Sequence, residues 1–263
     1  MNKIISKEYL SANVVQLQVE APLIAKSRRP GHFVIVRNRA DSERVPYTIA
    51  GADLSRGTIT LIVQGVGRSS KELITMEPGD ELHDVVGPLG KATDISRVGT
   101  VLCAGGGVGV APLYPIVEAF HKAGNRVIVV LAARTKELII MEPQMRAVCD
   151  QVVITTDDGS YGLKGVVTDG MRRVIEQEPV NLCVTIGPAV MMKYAALLTK
   201  EFNIPTVASL NTIMVDGTGM CGACRVTVDG KTRFVCVDGP EFDAHKVNFD
   251  EMLMRLNAYK GLE

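Results

Sequence analysis

The sequence predicts a protein of the α/β plus β class: an antiparallel barrel, then a doubly wound α/β domain, then a small C-terminal hairpin module. Three observations carry that expectation. Short runs rich in β-branched residues fill roughly the first 95 positions without helical periodicity. Strand-like and helical stretches alternate from about residue 98. After Asn211, a glycine- and cysteine-rich loop leads into two alternating runs joined by Asp229-Gly230. The changes in texture divide the chain at residues 1–96, 97–210 and 211–263. Its 263 residues suit about two domains of ordinary size.

In the first segment the strand candidates are residues 13–19, 32–37 and 58–63, where Val, Ile, Thr and Leu recur. Turn-prone Pro30-Gly31, Pro78-Gly79-Asp80 and Gly87-Pro88-Leu89-Gly90 lie between and after them. Regularly spaced short strands of this kind predict a small antiparallel barrel. In the second segment, strand runs at 100–104, 126–132, 151–155, 182–186 and 206–210 alternate with helical stretches at 113–122, 142–149, 167–177 and 190–202. That alternation predicts βαβ units and a parallel sheet.

One stretch here, 98–117, carries no charge and is about long enough to cross a bilayer. Gly99, Gly105, Gly106, Gly107, Gly109, Pro112 and Pro115 interrupt it, so it reads as a buried strand, a glycine turn and the start of a helix. In the third segment Asp229-Gly230, between runs 225–228 and 231–235, is a strong hairpin signal. A helix is predicted over 250–259.

Composition narrows the function. Lys plus Arg number 29, as do Asp plus Glu, and zero net charge argues against a nucleic-acid partner. The 46% apolar and 22% charged fractions support a buried core and exclude a disordered chain. Six cysteines are too few to staple a chain of this length, and residues 1–8 carry no apolar run suited to secretion. The expectation is a cytoplasmic protein without a membrane segment, in which clustered cysteines form a metal or redox site.

Asp216-Gly217-Thr218-Gly219-Met220-Cys221-Gly222-Ala223-Cys224, with Cys236 further on, is the most informative stretch. The spacing is that of a plant-type [2Fe–2S] site, C-x₄-C-x₂-C plus a distant cysteine, with Asp216 in the first ligand position. A two-residue turn at Asp229-Gly230 pairs Val228 with Lys231, and counting outward sets Ala223 opposite Cys236 and brings Cys224 beside it. Zinc held by Asp216, Cys221, Cys224 and Cys236 is the alternative, since carboxylate is an acceptable zinc ligand. A zinc site would more often show a second Cys-x-x-Cys or a His pair, and His32, His83, His121 and His245 are scattered. Cys103, Cys149 and Cys183 read as small buried apolar residues.

Two further groups of residues point to nucleotides. Arg44-Val45-Pro46-Tyr47-Thr48 reads as following a barrel strand, and Gly65-Val66-Gly67-Arg68-Ser69-Ser70 as opening a helix. Glycines admit a pyrophosphate while hydroxyls, amides and an arginine supply donors; for residues 67–70 taken in isolation, an ordinary helix start capped by Ser69 or Ser70 is the favoured explanation. Residues 101–112 run from an apolar strand through Gly105, Gly106, Gly107 and Gly109 to Ala111 and Pro112. Strand, glycines and helix in that order mark a dinucleotide pyrophosphate site. Ile186-Gly187-Pro188-Ala189-Val190-Met191-Met192 ends a later strand, and in a doubly wound sheet both loops emerge at the carboxyl edge, where ligands bind.

In this order the motifs resemble the ferredoxin–NADP reductase superfamily over residues 1 to about 210. The iron–sulfur tail adds a resemblance to flavoprotein electron-transfer subunits. Two groups of these compete: the electron-transfer subunits of class 1B dihydroorotate dehydrogenases, whose cluster has four cysteines, and the small subunits of electron-bifurcating NADH-dependent ferredoxin:NADP oxidoreductases, whose cluster has one aspartate and three cysteines. Asp216 and the following residues 237–242 look like the second group.

The resemblance implies FAD in the barrel. Tyr47 and Thr48 would lie near the isoalloxazine, with Pro46 in the same motif, and Arg44, Gly65, Gly67, Arg68, Ser69 and Ser70 near the pyrophosphate. It implies NAD(H) over Gly106, Gly107, Gly109, Ala111, Pro112, Gly187, Pro188 and Met191. It also implies a [2Fe–2S] cluster on Asp216, Cys221, Cys224 and Cys236. Hydride would pass between nicotinamide and flavin, then single electrons between flavin and a cluster facing a larger flavin and iron–sulfur subunit, with ferredoxin reached indirectly through that subunit. No side-chain acid or base is required, because the cofactors carry the chemistry.

Arg134-Thr135-Lys136 follows the second strand of the α/β segment, where a 2′-phosphate would be read, so NADP(H) remains an alternative. Asp157 ends another strand and would contact a ribose, or stand in a capped turn. A non-enzymatic zinc- or nucleotide-binding redox sensor is the alternative of another class.

Overall fold

The computed structural model describes residues 2–258 of the chain. Seven strands make the first sheet: β1 (Asn2–Ser11), β2 (Val14–Glu20), β3 (Phe33–Arg37), β4 (Val45–Asp53), β5 (Thr58–Gln64), β6 (Glu81–Leu82) and β7 (Asp84–Leu89). They run antiparallel in the order β6-β1-β2-β5-β4-β3-β7, which curls into a nearly closed barrel. Alternation along β2 turns Val15, Leu17 and Val19 inward, where they meet Val34, Ile49, Leu61 and Val63. Each such side chain contributes roughly 1.5–3 kcal/mol of transfer free energy.

The barrel departs from the expectation in three places. Residues 45–48 do not follow a strand; they open β4, with Val45 opposite Val36 and Thr48 opposite Phe33. Pro46 is tolerated because β4 pairs with β5 only from Ile49 onward, so its missing amide falls where the strand has one neighbour. Gly87-Pro88-Leu89 belongs to β7 rather than to a turn, and Pro88 is again accommodated because β7 is the last strand in the order. Strand β1 escapes a pattern search because register shifts between Ile4 and Ser6 and between Tyr9 and Ser11 break its alternation.

The second sheet contains β8 (Thr100–Gly106), β9 (Arg126–Ala133), β10 (Gln151–Thr156), β11 (Leu163–Lys164), β12 (Leu182–Ile186) and β13 (Thr206–Ser209). Next along the chain, β14 (Arg225–Val228) and β15 (Lys231–Phe234) form a hairpin, and β16 (Glu241–Asp243) returns to the second sheet. The order is β11-β10-β9-β8-β12-β13-β16, parallel except for β16. The chain runs outward from β8 to β11, then crosses to β12 on the other side of β8. That reversal is the topological switch point of a doubly wound sheet, where a crevice opens beyond the carboxyl ends.

The helix after β8 covers Val110–Lys122 and so begins before the expected 113, taking Pro112 into its first turn, where a missing amide costs little. The stretch expected at 142–149 is shorter, Glu142–Arg146. The helices Val167–Gln177 and Ala189–Glu201 follow the expected places. The last helix is Phe249–Asn257; position 259 of the expected 250–259 lies outside the described residues. Among the described residues no helix is long and apolar enough to cross a membrane.

The C-terminal segment is not an appendage. Besides contributing β16, it places Cys224, Val226, Val235, Cys236, Phe249 and Met252 in one apolar cluster with Phe33 and Ile35 of the barrel and Met192 of the second sheet's helices. The hairpin holds the predicted register, Val228 opposite Lys231 through Arg225 opposite Phe234. Beyond Phe234 the expectation fails: Val235–Asp238 turns into a short helix instead of extending the ladder to Ala223. The Asp238 carboxylate accepts the Phe234 amide at 2.8 Å and closes that turn.

Candidate functional site

The carboxyl edge of the second sheet gathers the nucleotide candidates. Strands β8 and β12 are neighbours, with Gly105 opposite Ile186, so the loops that follow them lie side by side. A Cβ on Gly109 would stand 2.5 Å from the Ile186 carbonyl oxygen and 2.7 Å from the Gly187 Cα. One on Gly187 would stand 2.7 Å from Met191 Cε, and one on Gly106 would meet Met191 Sδ. Gly106, Gly109, Gly187 and Met191 are therefore one packed unit, with Pro188 3.5 Å from the same Gly106 position. Gly107 has φ +55 and open space where a Cβ would stand, at the tip of the turn. Ala111 is buried under the helix start.

Next to them, Arg134, Thr135 and Lys136 follow β9, and Asp157 follows β10. The two loops are tied: the Lys136 amide donates to Ser160 Oγ at 2.9 Å and the Asp157 amide to the Ala133 carbonyl at 3.1 Å. It is Asp158, not Asp157, whose carboxylate organises the turn, accepting the Ser160 amide and hydroxyl. Asp157 and Arg134 are exposed at the crevice.

The flavin candidates lie on the barrel. The Tyr47 hydroxyl oxygen is buried and has no hydrogen-bond partner among the described residues, and burial pushes its pKa well up. A buried hydroxyl without a partner costs about 1–3 kcal/mol, and a ligand acceptor relieves it. Tyr47→Phe is thus expected to stabilise the flavin-free protein by about that amount and to reduce the gain in melting temperature on adding FAD; an unchanged gain would show that the hydroxyl does not face the ligand.

Ser70 does what a cap does: its Oγ accepts the Val66 and Gly67 amides at 2.9 and 3.0 Å. Ser69 is buried, its hydroxyl 3.3 Å from Glu43, and Asn38 fixes the same turn by donating to the Ser69 carbonyl at 2.8 Å. Arg68 is exposed, and Gly65 packs on Ile74. Arg44 reaches the cysteine loop: its Nε donates to the Val215 carbonyl at 2.9 Å and its Nη1 lies 3.7 Å from Asp84.

The cysteine loop divides into two pairs. Cys224 and Cys236 are buried with their sulfurs 3.3 Å apart. Burial, together with Cys224 beside it, pushes the Cys236 thiol up to about 12. Cys221 is exposed and lies beside Asp216; the amides of Ala223, Asp216 and Val215 hold its thiol below the ordinary range. The Asp216 carboxylate accepts the Thr218 amide at 2.9 Å and the Thr218 hydroxyl, which hold its pKa down.

Among the described residues no three His, Cys, Asp or Glu side chains converge as they would on one metal ion. Two ligand pairs are what a dinuclear centre needs, one pair to each iron. The wrapping follows from glycine: Gly217 and Gly219 have φ of +84 and +88, and a Cβ on Gly217 would strike Ile35 and Leu89 at 2.8 Å.

With this geometry in view, the comparisons with known proteins are informative. The model for the iron–sulfur cluster binding domain of dihydroorotate dehydrogenase B matches residues 211–248, and that for the oxidoreductase NAD-binding domain matches 104–196. A Thermotoga maritima protein described as a dihydroorotate dehydrogenase B (NAD(+)) electron transfer subunit homolog is 45% identical over 263 residues, spanning 100% of this chain and 93% of its own. The chain belongs to the family of dihydroorotate dehydrogenase B electron-transfer subunits and their homologues.

A second member, the electron transfer subunit from Desulforamulus reducens, is 31% identical over 253 residues, 93% of this chain and 96% of its own. A structure solved in a study of flavin-based electron bifurcation by the NADH-dependent reduced ferredoxin–NADP oxidoreductase superposes with a TM-score of 0.95 at 45% identity, over 99% of this chain and 94% of that one. The ferredoxin reductase of carbazole 1,9a-dioxygenase, 18% identical with a TM-score of 0.63 over 78% of this chain and 65% of its own, shares the fold.

Sequence reasoning missed Glu241, Arg225 and Arg255. The Glu241 carboxylate accepts the Thr93 hydroxyl at 2.6 Å, and Arg225 and Arg255 donate to the carbonyls of Gly222 and Ala223. Glu241 and Arg255 act across 148 and 32 residues, a distance that local spacing does not report, and Arg225, three residues from its partner, stands at a strand start that carries no ligand pattern.

Proposed function

We propose that the chain is the electron-transfer flavoprotein subunit of an NAD(P)H-dependent oxidoreductase of the electron-bifurcating ferredoxin:NADP type. It would move a hydride between NAD(H) and FAD, and single electrons between FAD and a [2Fe–2S] cluster that faces a larger flavin and iron–sulfur subunit, with ferredoxin reached only through that partner. When bound, the three cofactors supply the hydride and one-electron chemistry. The chain's part is binding and orientation.

Gly106, Gly107 and Gly109 let a pyrophosphate approach the backbone, Met191 closes the crevice beside them, and Asp157, Arg134 and Lys136 offer groups to the nucleotide's sugar end. Tyr47 offers its partnerless hydroxyl to the flavin. Asp216 with Cys221, and Cys224 with Cys236, would each hold one iron. A cytoplasmic location, where all six cysteines stay as thiols until metal binds, is part of this reading.

The observation that carries it is the pairing of an oxygen and a sulfur donor with two buried sulfurs in a chain 45% identical, over nearly its whole length, to a structure from a bifurcating enzyme. The dihydroorotate dehydrogenase reading is favoured by the match over 211–248; Asp216 in place of a fourth cysteine weighs against it. Absorbance of the purified protein should show flavin and iron–sulfur bands together, and a colourless zinc protein would end both readings. Asp216→Ala should lose iron while keeping FAD, because the two sites lie on separate segments; joint loss of both would overturn that assignment. Reduction of NADP by the native complex with reduced ferredoxin, against oxidation of dihydroorotate, decides between the two.

A further inference from the structure

Three guanidinium groups from three separate elements each take one carbonyl of the loop 215–224. Arg44, just ahead of β4, donates from Nε to the Val215 oxygen at 2.9 Å. Arg225, at the start of β14, donates from Nη1 to Gly222 at 3.2 Å. Arg255, in the last turns of the C-terminal helix, donates from Nη2 to Ala223 at 3.1 Å. Arginine stays charged at any working pH and holds its donors in a fixed fork. With these carbonyls directed to the arginines, amides of the same loop are directed to sulfur. The amides of Ala223, Asp216 and Val215 hold the Cys221 thiol down and that of Gly219 acts the same way on Cys236, while the amide of Cys236, just past the hairpin, donates to Cys224 Sγ at 3.5 Å.

We infer that Arg44, Arg225 and Arg255 are positioning residues for the [2Fe–2S] centre, which hold the loop with its amides toward sulfur and raise the centre's reduction potential by their charge. The inference rests on the cluster reading above. A one-electron reduction adds one negative charge to the centre, so nearby positive charge and amide dipoles favour the reduced form. Arg44 is the weaker contributor to charge, because Asp84 lies 3.7 Å from it and Asp84 is itself held by Arg37 at 2.8 Å. Arg255 is half-buried and forms no ion pair among the described residues, so its charge is the least offset; Arg225 is exposed and more screened.

The test is a redox titration of the iron–sulfur electron-paramagnetic-resonance signal in the complete, cofactor-loaded protein and its variants. Arg255→Gln should shift the one-electron equilibrium about tenfold toward the oxidised form, a drop of about 59 mV, while Arg255→Lys, which keeps the charge, should shift it far less. A wild-type potential in an Arg255→Gln protein that retains its iron would overturn the inference, as would equal shifts in the Gln and Lys variants. If Arg255→Gln does not retain iron, Arg225→Gln gives the measurement: a smaller drop in the same direction supports the inference and an unchanged potential overturns it. Wild-type protein devoid of the iron signal would refute the cluster reading instead, which separates the two failures.

Discussion

Gly109→Ala is expected to weaken NAD(H) binding by at least about tenfold and to destabilise the second sheet by about 2–3 kcal/mol, in the range of overpacked cores. The added Cβ would stand 2.5 Å from the Ile186 oxygen and 2.9 Å from the Gly187 amide nitrogen, and both are backbone atoms that cannot turn aside as a side chain would. Relief requires the end of β8 to move away from β12, which opens the crevice that the two loops share. Gly109 itself has ordinary helical torsions, φ −60 and ψ −14, so the penalty is one of space and not of backbone conformation.

Gly107 is the internal control. Its φ is +55 and nothing lies within 4 Å of a Cβ placed there, so Gly107→Ala should cost only about 1 kcal/mol, through the left-handed backbone. NADH titrations followed by flavin absorbance, with melting temperatures of both variants, check this. Equal melting temperatures of the two alanine variants would mean that the loops are not packed as described.

Glu241→Gln is expected to remove a pH dependence of stability amounting to as much as about 3 kcal/mol. Glu241 lies on β16, where the barrel meets the second sheet: Thr93 donates to its Oε1 at 2.6 Å, and a Cβ on Gly31 would lie 3.2 Å from the same oxygen. Among the described residues no cation offsets its charge, and burial pushes the carboxyl up to about 7 from its ordinary 4.5.

With the folded pKa above the unfolded one, the stability it contributes is fully present below about pH 4.5 and is lost as the pH rises through about 7. Glutamine keeps an acceptor for Thr93 and carries no charge, so its variant should be the more stable at pH 8 and close to wild type at pH 4.5. Thermal unfolding at pH 4.5, 6 and 8 reads the difference; parallel curves for the two proteins would show that Glu241 is not buried as a neutral acid.

Much of the placement of the candidate loops was legible because its determinants are local. Gly105 to Gly109 after an apolar run, and Gly187-Pro188 after another, mark strand ends whatever else the chain does, and the parallel sheet then sets them side by side. Asp229-Gly230 has φ of +53 and +69, the backbone that a two-residue hairpin demands, so the register up to Phe234 could be counted from the turn. The boundary of β4 was not legible, because the tolerance for Pro46 depends on where β5 stops pairing. Nor was the contact of Arg44 with Val215, 171 residues away, which no local motif reports.

The sequence by itself determined the order of barrel, doubly wound sheet and hairpin, the two glycine loops, and the set of one aspartate and three cysteines at iron–sulfur spacing. Periodicity, turn chemistry and ligand spacing are properties of short windows, and a short window contains them whole. Only the tertiary structure decided that Cys236 meets Cys224 from a helical turn and not from a ladder, that β16 closes the second sheet, that Glu241 meets Thr93 across the seam, and that three arginines converge on one loop. These depend on which distant residues share a buried volume, and that is settled when Phe33, Met192, Val235 and Phe249 exclude water together. No local pattern encodes that free energy, because it belongs to the assembled cluster and to none of its segments alone.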